Sequence, residues 1–462
     1  MALDGDALGT VEGYVVFVRG ALPGERVAAR VVTSGRKFGR AHLVKVLRSS
    51  PHRVAPPCRH FGPCGGCSWQ HIAYPEQLRL KSSMLSSTIA HALGGRPPKV
   101  KPTIGIDREA SGPWGFRNKV HFVLGRGQGA TGLVMGHYMR DSRRIVGIAE
   151  CPIHSPAGNR IAFRIRNLLE KHGVPGTDHE TLRGVARHLI VRVAEHTGES
   201  QATLVTTDPM VPGLKTIVRE LASGPDAPGG IHLNVNDRPG PFLFGRATRK
   251  LHGKDRLLDE VAGVRFVVSP KAFFQTNVRC AEKLVEVVMG HVPRDDRRPI
   301  LDLYAGAGLF SLPLARRGHR VISVEENPVA VKDGISSLGL NDVPEGACRF
   351  IQGRVEDVIR DMCDGSSGEP SRFGTAILDP PREGCPAAVL GLLVGRLRID
   401  RIIYVSCNPR ALAADLALAT ERHYRIVEVQ PVDMFPHTPH IESVALLCRP
   451  ESGRAGRPKA GG

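Results

Sequence analysis

Ile300-Leu301-Asp302-Leu303-Tyr304-Ala305-Gly306-Ala307-Gly308-Leu309-Phe310 reads as a short apolar strand running into a glycine turn and then a helix. Glycines at the carboxyl end of such a strand let the backbone approach a ligand closely. The spacing is not that of a phosphate-cradling dinucleotide turn, so a nucleoside ligand without phosphates fits better. After Ile300–Tyr304, strands of the same kind follow at Val321–Glu325, Ala376–Asp379 and Ile402–Ser406, separated by helix-length segments. That alternation predicts an α/β domain with a parallel sheet covered on both faces.

Ligand-binding groups are expected where these strands stop. Glu325 follows the glycine turn by about twenty residues, the distance at which an acid takes a ribose. Asp379-Pro380-Pro381-Arg382 and Cys407-Asn408-Pro409 each end a strand in proline, which cannot continue a central ladder. Asp379 and Cys407 are thereby set at the ligand rim, where a thiolate is a candidate nucleophile. Met434-Phe435-Pro436-His437-Thr438-Pro439-His440-Ile441-Glu442 then offers three candidate bases, His437, His440 and Glu442, before a last strand at Ser443–Cys448.

Toward the N-terminus, residues 76–93 and 156–171 read as helices, and 114–150 and 186–207 as strands. Residues 11–47 read as short strands carrying scattered Arg and Lys, a small basic β module. Cys58, Cys64 and Cys67 lie in a proline-rich segment, and Cys151 follows far downstream. Four thiolates can hold an iron–sulfur cluster or a zinc, and the lack of a second CxxC favours the cluster. Cys280, Cys348, Cys363, Cys385 and Cys448 are read as structural.

The charge balance of 63 basic against 45 acidic residues, +18 in all, suits a polyanionic partner. No apolar run is long enough for a membrane span, and the first residues lack a signal peptide's charged-then-apolar pattern. A cytoplasmic, monomeric protein with no membrane partner is expected.

Taken together, Phe273-Phe274-Gln275-Thr276-Asn277, the Asp302-to-Phe310 turn, Asp379-Pro380-Pro381-Arg382, Ser406-Cys407-Asn408-Pro409 and the loop ending in Glu442 resemble the RNA uracil-5-methyltransferase family. They occur in the family's order. Phe116-Arg117-Asn118-Lys119 and the cysteines extend the likeness to members with a TRAM domain and a 4Fe-4S cluster. The resemblance implies a class I S-adenosylmethionine-dependent methyltransferase (Rossmann-like) domain at 256–449. A TRAM-like β domain would precede it at 1–50, truncated at its start, followed by a central iron–sulfur domain at 51–255. A disordered tail would close the chain at 450–462.

It also implies roles. Cys407 is the nucleophile and Glu442 the base. Gln275, Tyr304, Glu325 and Asp379, with Gly306 and Gly308 of the turn, meet S-adenosyl-L-methionine. Cys58, Cys64, Cys67 and Cys151 hold the cluster. The RNA is expected to be 23S ribosomal RNA, with transfer RNA as the alternative; the competing readings are a cytosine carbon 5 target and a non-catalytic iron–sulfur RNA-binding protein. The chemistry demands such a set, because uracil carbon 5 is a poor nucleophile until a thiolate adds to carbon 6.

Overall fold

The computed structural model describes residues 1–450 apart from 97, 108–111, 128–131, 241, 367 and 369–371. The expected disordered tail, from residue 451 on, lies outside the described residues.

Four sheets are formed among the described residues: three large ones, taken in turn below, and a two-stranded one that pairs Leu257–Val261 with Val264–Val268. The first joins Ala7–Val11, Tyr14–Arg19, Phe38–Arg48 and Arg26–Ser34, in that spatial order. The strand at 7–11 was not foreseen: five residues with a central glycine carry little strand signal alone, and they pair because Tyr14–Arg19 folds back on them. The basic strand Arg26–Ser34 is exposed along almost its whole length.

The second sheet has seven strands, ordered Thr248–Gly253, Gly230–Val235, Ser200–Thr206, Ala186–Val193, Lys119–Arg126, Leu133–Tyr138 and Ile145–Gly147. The helix Pro156–Lys171 packs on one face, starting at an Ser155 side chain that caps Gly158 N–H.

The third sheet carries the glycine turn. Its order is Cys348–Gln352, Val321–Glu325, Ile300–Leu303, Thr375–Leu378, Arg401–Ser406, Glu442–Cys448 and Arg425–Val432. The first five strands are parallel. Glu442–Cys448 runs antiparallel to both its neighbours. Ile300–Leu303 and Thr375–Leu378 are adjacent in space but distant in sequence, so the chain switches direction between them. A crevice opens at such a switch point, outside the carboxyl ends of the strands. Cys348–Gln352 and Arg425–Val432 escaped the sequence reading because both are edge strands with mixed polarity.

The helix Tyr74–Ala92 lies far from this sheet in sequence, yet its Leu80, Met84, Leu85 and Ile89 join the core formed by Leu301, Leu303 and Leu412. Residues 99–104 run along the outer edge strand, with Lys101 N–H donating to Val429. That covers an edge that would otherwise expose unpaired backbone groups.

Candidate active site

The glycine turn is built from unusual backbone. Tyr304, Gly306 and Gly308 all have positive φ, of 62°, 56° and 86°. A side chain on Gly308 would strike Leu312 at 2.3 Å and Phe350 at 2.9 Å, whereas beside Gly306 there is open space. Gly308 is thus required for packing, and Gly306 for conformation and for the room above it. Glu325 ends the neighbouring strand. One carboxylate oxygen accepts Gly306 N–H at 2.9 Å and the other accepts Asn327 N–H at 2.8 Å.

Two buried polar atoms near the turn lack a hydrogen-bonding N or O partner among the described residues, Oδ1 of Asp302 and the Tyr304 hydroxyl, which has only the Cys385 thiol beside it. Buried polar groups are seldom left unpaired, so both suit a polar ligand. Burial pushes the Asp302 carboxyl up to about 7, with nearby Asp379 and Glu325 adding to the effect. The residues present therefore fit a nucleoside with a charged amino-acid tail.

Gln275 sits on the loop before the helix Val278–Gly290. Asn118 Nδ2 donates to its carbonyl at 3.2 Å, and Asn277 Nδ2 donates to the Met434 carbonyl at 3.2 Å. This loop therefore links the second sheet to the segment leading to Glu442.

Cys407, Asp379 and Glu442 converge at the same rim. Ser406 pairs with Ser443, and Val432 with Glu442. Glu442 opens an antiparallel strand, so its start meets the ends of the parallel ones. Burial, then the negative charges of Glu442 and Asp379, raise the Cys407 thiol to about 11, while Arg382 opposes them. Glu442 is 5% exposed, and its carboxyl is pushed well above the usual range by burial and by Asp379, again against Arg382. Asp379 is likewise raised, by burial and by Glu325. Cys407, Arg382, Asn408, His440 and Ile441 line one open pocket.

The three candidate bases separate in space. His440 shares the Cys407 pocket. His437 is turned into the protein, with both ring nitrogens engaged, by Gln77 at 3.3 Å and by the Pro113 carbonyl at 3.0 Å. Sequence reasoning quoted Arg382 but gave it no role. Its position, held by a 2.8 Å bond from Asn408 Nδ2 to its carbonyl, becomes meaningful only beside the thiol and the two acids. Asp302 was likewise unassigned, because only burial distinguishes it.

Cys58, Cys64, Cys67 and Cys151 line a single cavity of about 210 Å³, together with Arg117, His121 and His137. Among the described residues, no three His, Cys, Asp or Glu side chains close around a point as ligands of one metal ion would. Burial raises the Cys67 thiol to about 12 and that of Cys151 to about 11. Arg117 is bonded through Nε to the Lys119 carbonyl, and burial lowers its pKa, with the two thiols Cys151 and Cys67 opposing.

A crevice at the switch point of a seven-stranded sheet, with a glycine turn and a ribose-distance acid, defines a class I S-adenosylmethionine-dependent methyltransferase. Comparison with known proteins narrows this. The family model for tRNA (uracil-5-)-methyltransferase matches residues 254–450, and that for the TRAM domain matches residues 3–44. An uncharacterized RNA methyltransferase of Halalkalibacterium halodurans is 33% identical over 444 residues, covering 96% of this chain and 94% of the other. One of Gloeobacter violaceus is 34% identical over 450 residues, covering 97% and 95%. The crystal structure of the Pyrococcus abyssi tRNA (uracil-54, C5)-methyltransferase with S-adenosyl-L-homocysteine aligns at TM-score 0.74, with 28% identity and 96% of each chain covered. This chain belongs to the RNA uracil-5-methyltransferase family, with a TRAM domain at its N-terminus. Among the described residues, no helix is long and apolar enough to cross a membrane.

Proposed function

We propose that the protein methylates carbon 5 of a uridine in RNA through a covalent adduct between Cys407 and uracil carbon 6. The observation that supports this is that Cys407 and Glu442 each lie one residue beyond or before the pair Ser406–Ser443, close enough for the Glu442 charge to raise the Cys407 thiol. S-adenosylmethionine, when bound, supplies an electrophilic methyl on a sulfonium. Gln275, Tyr304, Glu325, Asp379 and the turn at Gly306 and Gly308 hold it.

The Cys407 thiolate adds to carbon 6, and the electron pair moves toward carbon 5 and its carbonyl. Carbon 5 takes the methyl group as the sulfonium's carbon–sulfur bond breaks and the neutral thioether leaves, and carbon 5 now carries both a methyl and a hydrogen. Glu442 removes that hydrogen as a proton, the double bond re-forms, and the thiolate leaves. Arg382 favours the thiolate before attack and the Glu442 carboxylate before proton removal.

Cys58, Cys64, Cys67 and Cys151 hold a 4Fe-4S cluster. Support comes from four thiols spread around one cavity rather than gathered at a point, with the buried Arg117 cation among them to balance an anionic centre. The cluster supplies a structural staple, since this methyl transfer has no redox step. Anaerobically purified protein should be brown and contain iron and acid-labile sulfide; stoichiometric zinc without sulfide refutes the assignment.

The substrate is 23S ribosomal RNA, on the likeness to cluster-bearing family members. Transfer RNA is the second reading, favoured by the Pyrococcus abyssi structure, whose protein acts on tRNA uracil-54. Mapping 5-methyluridine in both RNAs from a strain lacking the gene decides between them. Loss from 23S RNA alone is expected, and loss from transfer RNA alone overturns that choice.

A further inference from the structure

The loop between Val432 and Glu442 is held mostly from outside its own hairpin. At its start, Lys81 reaches from the helix Tyr74–Ala92 to Asp433 at 2.5 Å and to the Phe435 carbonyl at 3.0 Å, with both charged side chains fully buried. At its apex, His437 has φ of 63°, a strained conformation for a residue with a side chain. Five groups hold it there. Its carbonyl accepts the N–H groups of Ser68 and Trp69, each at 2.9 Å, and its own N–H donates to Gln77 Oε1 at 2.8 Å. Gln77 Nε2 donates to Nδ1, so Nε2–H donates to Pro113. Trp114 stacks on the ring at 4.0 Å.

Ser68 and Trp69 directly follow Cys67. Pro436 and Pro439 stiffen the chain on either side of His437, so its position is passed on to Glu442 five residues later. We infer that His437 is a positioning residue that joins the cysteine-bearing loop to the loop delivering Glu442, keeping the base within reach of carbon 5. This rests on the reading of Glu442 as the base. His437 does not touch substrate. Its contribution is placement, which carries large rate effects when a reacting group shifts by about 1 Å.

The test compares His437→Ala, Gln77→Leu, His437→Asn and Glu442→Gln in the full-length protein. His437→Ala should leave KM for RNA and for S-adenosylmethionine within about twofold but lower kcat at least roughly tenfold. It should also accumulate the methylated protein–RNA adduct on denaturing gels. Tryptophan emission should move to the red, because Trp69 and Trp114, the chain's two tryptophans, both border the joint. Gln77→Leu removes the same anchor from the other side and should trap the adduct more weakly. It decides the matter if His437→Ala does not fold. His437→Asn, which tolerates positive φ, should recover part of kcat. If Glu442→Gln traps the adduct while His437→Ala and Gln77→Leu turn over without it, the positioning role is overturned. If Glu442→Gln traps none, the base assignment fails and takes this inference with it.

Discussion

Ser406 pairs with Ser443 across two antiparallel strands, a contact reinforced by a 3.3 Å bond from Ser443 Oγ to the Ser406 carbonyl, and Cys407 and Glu442 are the next residue on either side. They are close enough that the Glu442 carboxylate raises the Cys407 thiol. The reversal of a single strand at the end of a parallel sheet thus brings together two residues 35 positions apart.

If Cys407 is the nucleophile as proposed, Cys407→Ala should bind S-adenosylmethionine normally and transfer no methyl group. Isothermal titration and a methyl-incorporation assay check the two halves. Substantial residual turnover would move the nucleophile elsewhere.

The pH dependence follows from the neighbours of Cys407. Its thiol is raised to about 11 by burial, Glu442 and Asp379. The thiolate fraction, and with it kcat/KM, should therefore grow as pH rises from 7 toward 9. Arg382 opposes this shift, so Arg382→Met raises the thiol further and moves the rising limb to higher pH. About tenfold less activity at neutral pH corresponds to each unit of displacement. A pH–rate profile identical to wild type would remove Arg382 from the account.

Glu325 bonds Gly306 and Asn327 while facing the crevice. Glu325→Ala should weaken S-adenosylmethionine binding by about tenfold to a hundredfold, the loss of one or two charge-assisted hydrogen bonds. RNA affinity should be unchanged. Equal loss of both affinities would mean that the turn itself had collapsed.

Lys81 and Asp433 form a fully buried pair. Lys81→Met leaves Asp433 charged and unpaired, which should cost about 3–5 kcal/mol of stability. Lys81→Met combined with Asp433→Leu should recover most of that loss in denaturant melts. A double variant no more stable than the single one would show that the pair stabilises through more than charge compensation.

The strands at 300, 321, 375 and 401, the glycine turn and the proline-terminated ends were legible in the sequence, because a buried parallel strand is a short apolar run and each stops at a residue that cannot continue it. The helices 74–92 and 156–171 were legible from their apolar period. Gly306, Glu325, Asp379 and Cys407 followed as rim residues by the same logic. Three things were decided only in the folded chain. The edge strands at 348–352 and 425–432 have mixed polarity, since their environment and not their composition makes them strands. The surroundings of the three candidate bases are tertiary: the His437 ring is locked between Gln77 and Pro113, His440 shares the Cys407 pocket, and Glu442 opens the strand paired with the one that Cys407 follows. Arg382 and Asp302 gained meaning from burial and from the charges around them. Periodicity and spacing are local and survive in a linear string. Desolvation, charge coupling and register across a reversed strand belong to residues far apart in sequence, and exist only once the sheet has closed.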